Sequence, residues 1–148
     1  MQPDNSVSPF IVLIDDDEHS AHLLTRMLVA HGAPSIRHFA DAGAGEAALA
    51  TILANPQGAW PGLVVVDLKA HSGANAEFAA RNQVALHQKG IPLVIMTAPT
   101  DSGGRRILHD AGAAAVFFRQ AELDAYRREA AAIVSFWARS QSLDAIGM

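Results

Sequence analysis

Cysteine is absent from this sequence, which excludes disulfides and thiolate zinc sites and fits a reducing compartment. Long hydrophobic runs are absent too: nothing approaches the roughly 20 apolar residues needed to span a bilayer. Residues 1–10 are mostly polar, include Pro3 and Pro9, and lack the charged and apolar regions of a signal peptide. Basic residues are in the minority, 11 Lys and Arg against 15 Asp and Glu, so the net charge of −4 leaves no basic footprint for nucleic acid. What is present is core material: half of the 148 residues are hydrophobic and 18% are charged, as in a globular domain. The expectation is a cytoplasmic protein with no membrane and no nucleic-acid partner. Residues 1–9 read as a flexible N-terminal arm, 10–140 as one domain and 141–148 as a C-terminal tail, with no room for a second domain.

Two apolar runs end in aspartate. Ile11-Val12-Leu13-Ile14 leads into Asp15-Asp16-Asp17, and Leu63-Val64-Val65-Val66 leads into Asp67. Short runs rich in β-branched residues read as buried strands of a parallel sheet. Strands are expected over 10–14, 35–40, 63–66, 91–97 and 114–118. Helices are expected over 18–31, from an Asp41 N-cap through Ala54, from a loop at 68–75 to near Gly90, over 105–111 behind an Asp101 or Ser102 cap, and over 121 to about 140. Alternation of this kind predicts an α/β fold, a doubly wound five-stranded parallel sheet with helices on both faces.

In open α/β sheets, ligands bind outside the carboxyl ends of the strands. If the strands ending at Asp15 and Asp67 are neighbours, Asp15, Asp16 and Asp67 converge there. Adjacent carboxylates repel, and oxygen-only ligation suits Mg²⁺. Thr97 and Arg119 end the fourth and fifth strands. Three carboxylates, a hydroxyl and a cation at one sheet edge suit phosphoryl transfer to a carboxylate.

The order, spacing and strand context of these residues resemble the receiver domain of two-component response regulators, over about residues 10–139. The resemblance implies a flavodoxin-like strand order, 2-1-3-4-5. It implies that Asp15 and Asp16 bind Mg²⁺ together with Asp67 and the carbonyl of Lys69, that Asp67 accepts phosphate from a histidine kinase, and that Thr97 and Arg119 contact phosphoryl oxygens. The chemistry is then self-catalysed transfer in a signalling switch, not that of a turnover enzyme. In the last helix, Leu123, Tyr126, Ile133 and Trp137 recur at helical spacing, with Phe136 beside Trp137. This ending resembles stand-alone receivers that pair with bacterial phytochromes, and implies a homodimer through the last helices. The plainer alternative is that the stripe packs on the sheet.

Several positions depart from the family pattern. Arg119 stands for the usual Lys, and Gln120 for a Pro held cis, so a trans bond is expected. Arg119 either reaches phosphate or pairs permanently with Asp67. His71 replaces a Pro in the loop after Asp67. The Lys69 ammonium is in a position to enter the acidic pocket, and Val116 replaces a switching aromatic. These departures leave open a degenerate receiver, a protein-interaction module that works without phosphorylation. Asp15-x-Asp17 also resembles the step of haloacid dehalogenase-like phosphatases, against a plain helix-start role for Asp17. His19 with His22, His71, Ser102-Gly103-Gly104, Gly43-x-Gly45 and Arg105-Arg106 read as solvated or structural positions before they read as metal, anion, dinucleotide or docking sites.

Overall fold

The computed structural model describes residues 8–145. The expected arm, apart from residues 8 and 9, and the tail beyond 145 lie outside the described residues. Within them, β1 (Phe10–Asp15), α1 (Glu18–Ala30), β2 (Ser35–Phe39), α2 (Ala42–Ala54) and β3 (Leu63–Asp67) are followed by α3 (Ala74–Gln88), β4 (Leu93–Thr97), α4 (Ser102–Asp110), β5 (Ala115–Phe118) and α5 (Leu123–Ala145). The five strands form one parallel sheet in the order β2-β1-β3-β4-β5, the expected doubly wound topology.

The strands have period-2 side-chain alternation, and both sheet faces are covered, so the central strands are apolar throughout. Phe10, Val12, Ile14, Val64 and Val66 face a cluster with Leu49 of α2 and Phe78 and Leu86 of α3. Ile11, Leu13, Val65 and Met96 face Leu24 and Leu28 of α1 and Tyr126, Ala130 and Ile133 of α5. Such burial is worth about 1.5–3 kcal/mol for each large aliphatic side chain.

Most helix starts are set by carboxylates. Asp17 accepts from the amides of His19 and Ser20, Asp41 from that of Ala44 and Asp101 from that of Gly104. Asp17 is therefore a helix cap rather than a general acid. The Asp101 cap starts α4 three residues earlier than expected, drawing Ser102-Gly103-Gly104 into its first turn. Likewise α5 runs on to Ala145, so helix occupies residues 141–145, which were expected to be tail. Gly112, at φ +123°, closes the turn before β5, and a Cβ there would lie 2.7 Å from Gln83 Cβ.

Of the Gly43-x-Gly45 pair, Gly45 is the packing residue: a Cβ on it would fall 2.4 Å from Ile14 Cδ1 of β1. Gly45→Ala is expected to destabilise the fold by about 1–3 kcal/mol through overpacking. Gly43→Ala, whose Cβ meets only its own cap carboxylate at 3.4 Å, should be neutral or stabilise by up to about 1 kcal/mol. Chemical denaturation of the two variants checks the pair. Equal effects would contradict this assignment.

Candidate functional site

Parallel pairing places Asp15 and Asp67 side by side, as direct partners across β1 and β3. Both are fully buried. Buried carboxylates must be paired or protonated, and here two cations meet them. The Lys69 ammonium lies 2.7 Å from Asp15 Oδ1 and 3.1 Å from Asp67 Oδ1, and it donates to the Asp67 main-chain oxygen at 3.0 Å. The Arg119 guanidinium pairs with the same oxygen, Asp67 Oδ1. Arg119 is held by its own backbone, whose amide donates to the carbonyl of Thr97. Thr97 ends β4 beside them and is part-exposed.

Asp67 Oδ2 is the exception to this pairing: it is buried and accepts no hydrogen bond. The Asp67 carboxyl is raised to about 6: burial and the Asp15 charge push it up by more than the Lys69 and Arg119 cations hold it down. The group is thus mostly ionised at neutral pH, but at a cost.

Asp16 behaves differently from expectation. Its carboxylate turns to the β3–α3 loop and accepts from the Lys69 amide at 2.9 and 3.1 Å and from the Ala70 amide at 2.9 Å. It anchors the loop that carries Lys69, while Asn75 secures the start of that loop by accepting from the Leu68 amide at 2.8 Å. The Arg119–Gln120 bond is trans, as expected; there is no cis peptide among the described residues.

The expected Mg²⁺ set was Asp15, Asp16, Asp67 and the Lys69 carbonyl. The donors do not fit it as arranged. Mg²⁺ demands near-octahedral oxygens at 2.0–2.1 Å, but the oxygens of Asp15 and Asp67 converge on an ammonium at hydrogen-bond distance. Asp16 is committed to amides, and no group of three or more metal-ligating side chains occurs among the described residues.

Two supporting residues carry no motif and escape sequence reasoning. Ser20 donates its hydroxyl to Asp15 Oδ2 at 3.0 Å, one turn into α1. His38 of β2 holds the Asp15 carbonyl at 2.8 Å through Nε2. Tyr126 belonged to the proposed seam but is nine-tenths buried, with its hydroxyl lacking a partner. Burial and the Asp67 and Asp15 charges raise that hydroxyl to about 12.

Three more residues of the stripe meet the sheet core. Ile133 is fully buried against the sheet, and Phe136 and Trp137 pack on the same core. Trp137 Nε1 stands 2.8 Å from where a Cβ on Gly62 would be. These contacts lie within one chain, as the plainer reading expects, with Phe136 and Trp137 only partly buried. Leu123 alone of the five is exposed, at 47%. His19 and His22 are exposed, and His71 is an exposed loop residue 3.6 Å from Glu77.

No protein-family model and no curated protein matches the sequence. Solved structures do match. The phosphorylated cyanobacterial phytochrome response regulator RcpA is 20% identical, with a TM-score of 0.72 over 89% of this chain and 95% of its own. The Mn²⁺-bound form of response regulator Rcp1 is 19% identical, with a TM-score of 0.71 over 87% of this chain and 94% of its own. A response regulator receiver domain from Rhodospirillum rubrum is 20% identical, with a TM-score of 0.67 over 87% and 93%. The chain therefore has the fold of response regulator receiver domains, as the sequence resemblance implied.

Proposed function

We propose that this chain is a receiver-type signalling domain in which Asp67 accepts a phosphoryl group from the phosphohistidine of a sensor histidine kinase. The observation that carries the reading is the placing of Asp67: it ends the central strand of a receiver fold, with two cations on one carboxyl oxygen and none on the other. The free oxygen forms the new O–P bond as the P–N bond of the donor breaks, and the leaving imidazole takes its proton from solvent. Lys69 and Arg119 offset the charge gathered on the nucleophile and phosphoryl group, and the part-exposed Thr97 hydroxyl and Arg119 meet phosphoryl oxygens. A groove lined by Ser20, Leu23, Lys69, Arg119, Leu123 and Tyr126 opens beside the two cations.

Each event is a single transfer, so the protein is a switch and not a turnover enzyme. Phosphorylation adds about −1.5 to −2 charge at neutral pH. Drawing Arg119 and Thr97 toward it would reshape the α4–β5–α5 side, where Arg105, Arg106 and Ile107 are exposed. Output through protein contacts on that side follows. A homodimer through α5 would have to use Leu123 and the polar outer face. The phytochrome association in the name of RcpA makes a phytochrome kinase the first donor to try. Mg²⁺ has no part in this reading.

A second reading has its own support. Asp67 exposes no surface and is already doubly paired, as expected of a module that works without phosphorylation. Incubation with phosphoramidate separates the two. Phosphoacceptance predicts that the intact mass rises by one phosphoryl group, and that the rise is lost in Asp67→Asn. No rise, or a rise that survives Asp67→Asn, would favour the module.

A further inference from the structure

We propose that Lys69 is the resident cation of the acidic pocket, holding the place between Asp15 and Asp67 that a divalent ion would need, so that the site works without a metal. An ammonium has three donors. Three oxygens stand around Lys69 Nζ: Asp15 Oδ1 at 2.7 Å, the Asp67 carbonyl at 3.0 Å and Asp67 Oδ1 at 3.1 Å. The first two accept hydrogen bonds from it, and the third is an ion-pair contact.

The charges match. The buried carboxylates of Asp15 and Asp67 face the cations Lys69 and Arg119, two against two, while the Asp16 charge is spent on the amides of Lys69 and Ala70. A dication added to this pocket would meet two like charges and find only part of its oxygen shell. The placement of Lys69 is also built in. Asp16 clamps the backbone amide of Lys69, which sets the stem of the side chain within reach of both carboxylates. The loop carboxylate that the family resemblance gives to a metal thus positions a lysine here. Lys69 is a positioning and charge-compensating residue. Its role in phosphoryl transfer rests on the reading above; its exclusion of metal does not.

The test is a Mn²⁺ titration of the full chain at neutral pH, followed by electron paramagnetic resonance of the free ion. The wild type should show no saturable site through millimolar Mn²⁺. Lys69→Ala should gain one, with affinity higher by about tenfold or more, since one repelling charge is gone. Adding Asp15→Asn to it should abolish the gain. Lys69→Gln serves if Lys69→Ala does not fold, and the wild-type titration stands alone in either case. A saturable wild-type site that is lost in Asp15→Asn would overturn the proposal, as would a lysine variant that gains nothing.

Phosphoramidate labelling should proceed equally in EDTA and in Mg²⁺. Labelling that requires Mg²⁺ would overturn the proposal. If labelling fails under both conditions while the Mn²⁺ pattern holds, the phosphoacceptor reading falls and the lysine assignment stands.

Discussion

Lys69→Met is expected to lower the unfolding free energy at neutral pH by about 3 kcal/mol, the scale of loss when one partner of a buried ion pair is removed. The side chain of Lys69 is 24% exposed and both of its carboxylate partners are fully buried, so solvent does little to replace it. Without the ammonium, Asp15 and Asp67 face each other directly, and only Arg119 remains on Asp67. The Asp67 carboxyl, already raised to about 6, would rise further, because Lys69 is the strongest of the groups that lower it. Once its pKa passes the ambient pH the group takes up a proton and the loss stops growing. The deficit should therefore shrink as the pH falls. Urea unfolding of the variant and the wild type across the pH range tests this. A constant deficit, or none, would mean that Lys69 does not sit in the pocket.

Asp67→Asn is expected to do the opposite, stabilising the fold at neutral pH by about 2 kcal/mol. A carboxyl raised from 3.8 to about 6 makes the native state less favourable by about 3 kcal/mol once it is ionised. An amide beside Lys69 and Arg119 returns part of that gain. Because the folded pKa lies above the unfolded one, the native state holds the extra proton between them. The contribution of this group is best below the unfolded value and is lost as pH rises through the folded one. The wild type should lose stability from this group between about pH 4 and pH 7, and Asp67→Asn should not show that slope. An unchanged slope in the variant would assign the titration to other groups.

The sheet and its order were open to sequence reasoning because buried parallel strands announce themselves. Leu63-Val64-Val65-Val66 has no other comfortable environment, and an aspartate after such a run marks the sheet edge. Helix limits were harder. Ser102-Gly103-Gly104 reads as loop by propensity, and only the Asp101 cap pulls it into α4. The α5 stripe had two physical solutions with the same spacing. Sheet packing won for Tyr126 and Ile133, a choice decided by tertiary contact and not by period.

At the site, residue identities were legible and side-chain directions were not. Asp15 and Asp67 meet because register requires it. Asp16, one residue beyond the strand, is free to turn, and the loop amides of Lys69 and Ala70 claim it. The same loop decides that a lysine on it reaches inward. Ser20 and His38 brace Asp15 from a helix and an edge strand, at sequence positions that no pattern marks.

The most direct measurement is the anomalous scattering from a crystal grown in millimolar Mn²⁺ at neutral pH. No manganese peak is expected between the carboxylates of Asp15 and Asp67, with the Lys69 ammonium in that place. A manganese peak on those two carboxylates, with Lys69 swung out to solvent, would contradict that placement.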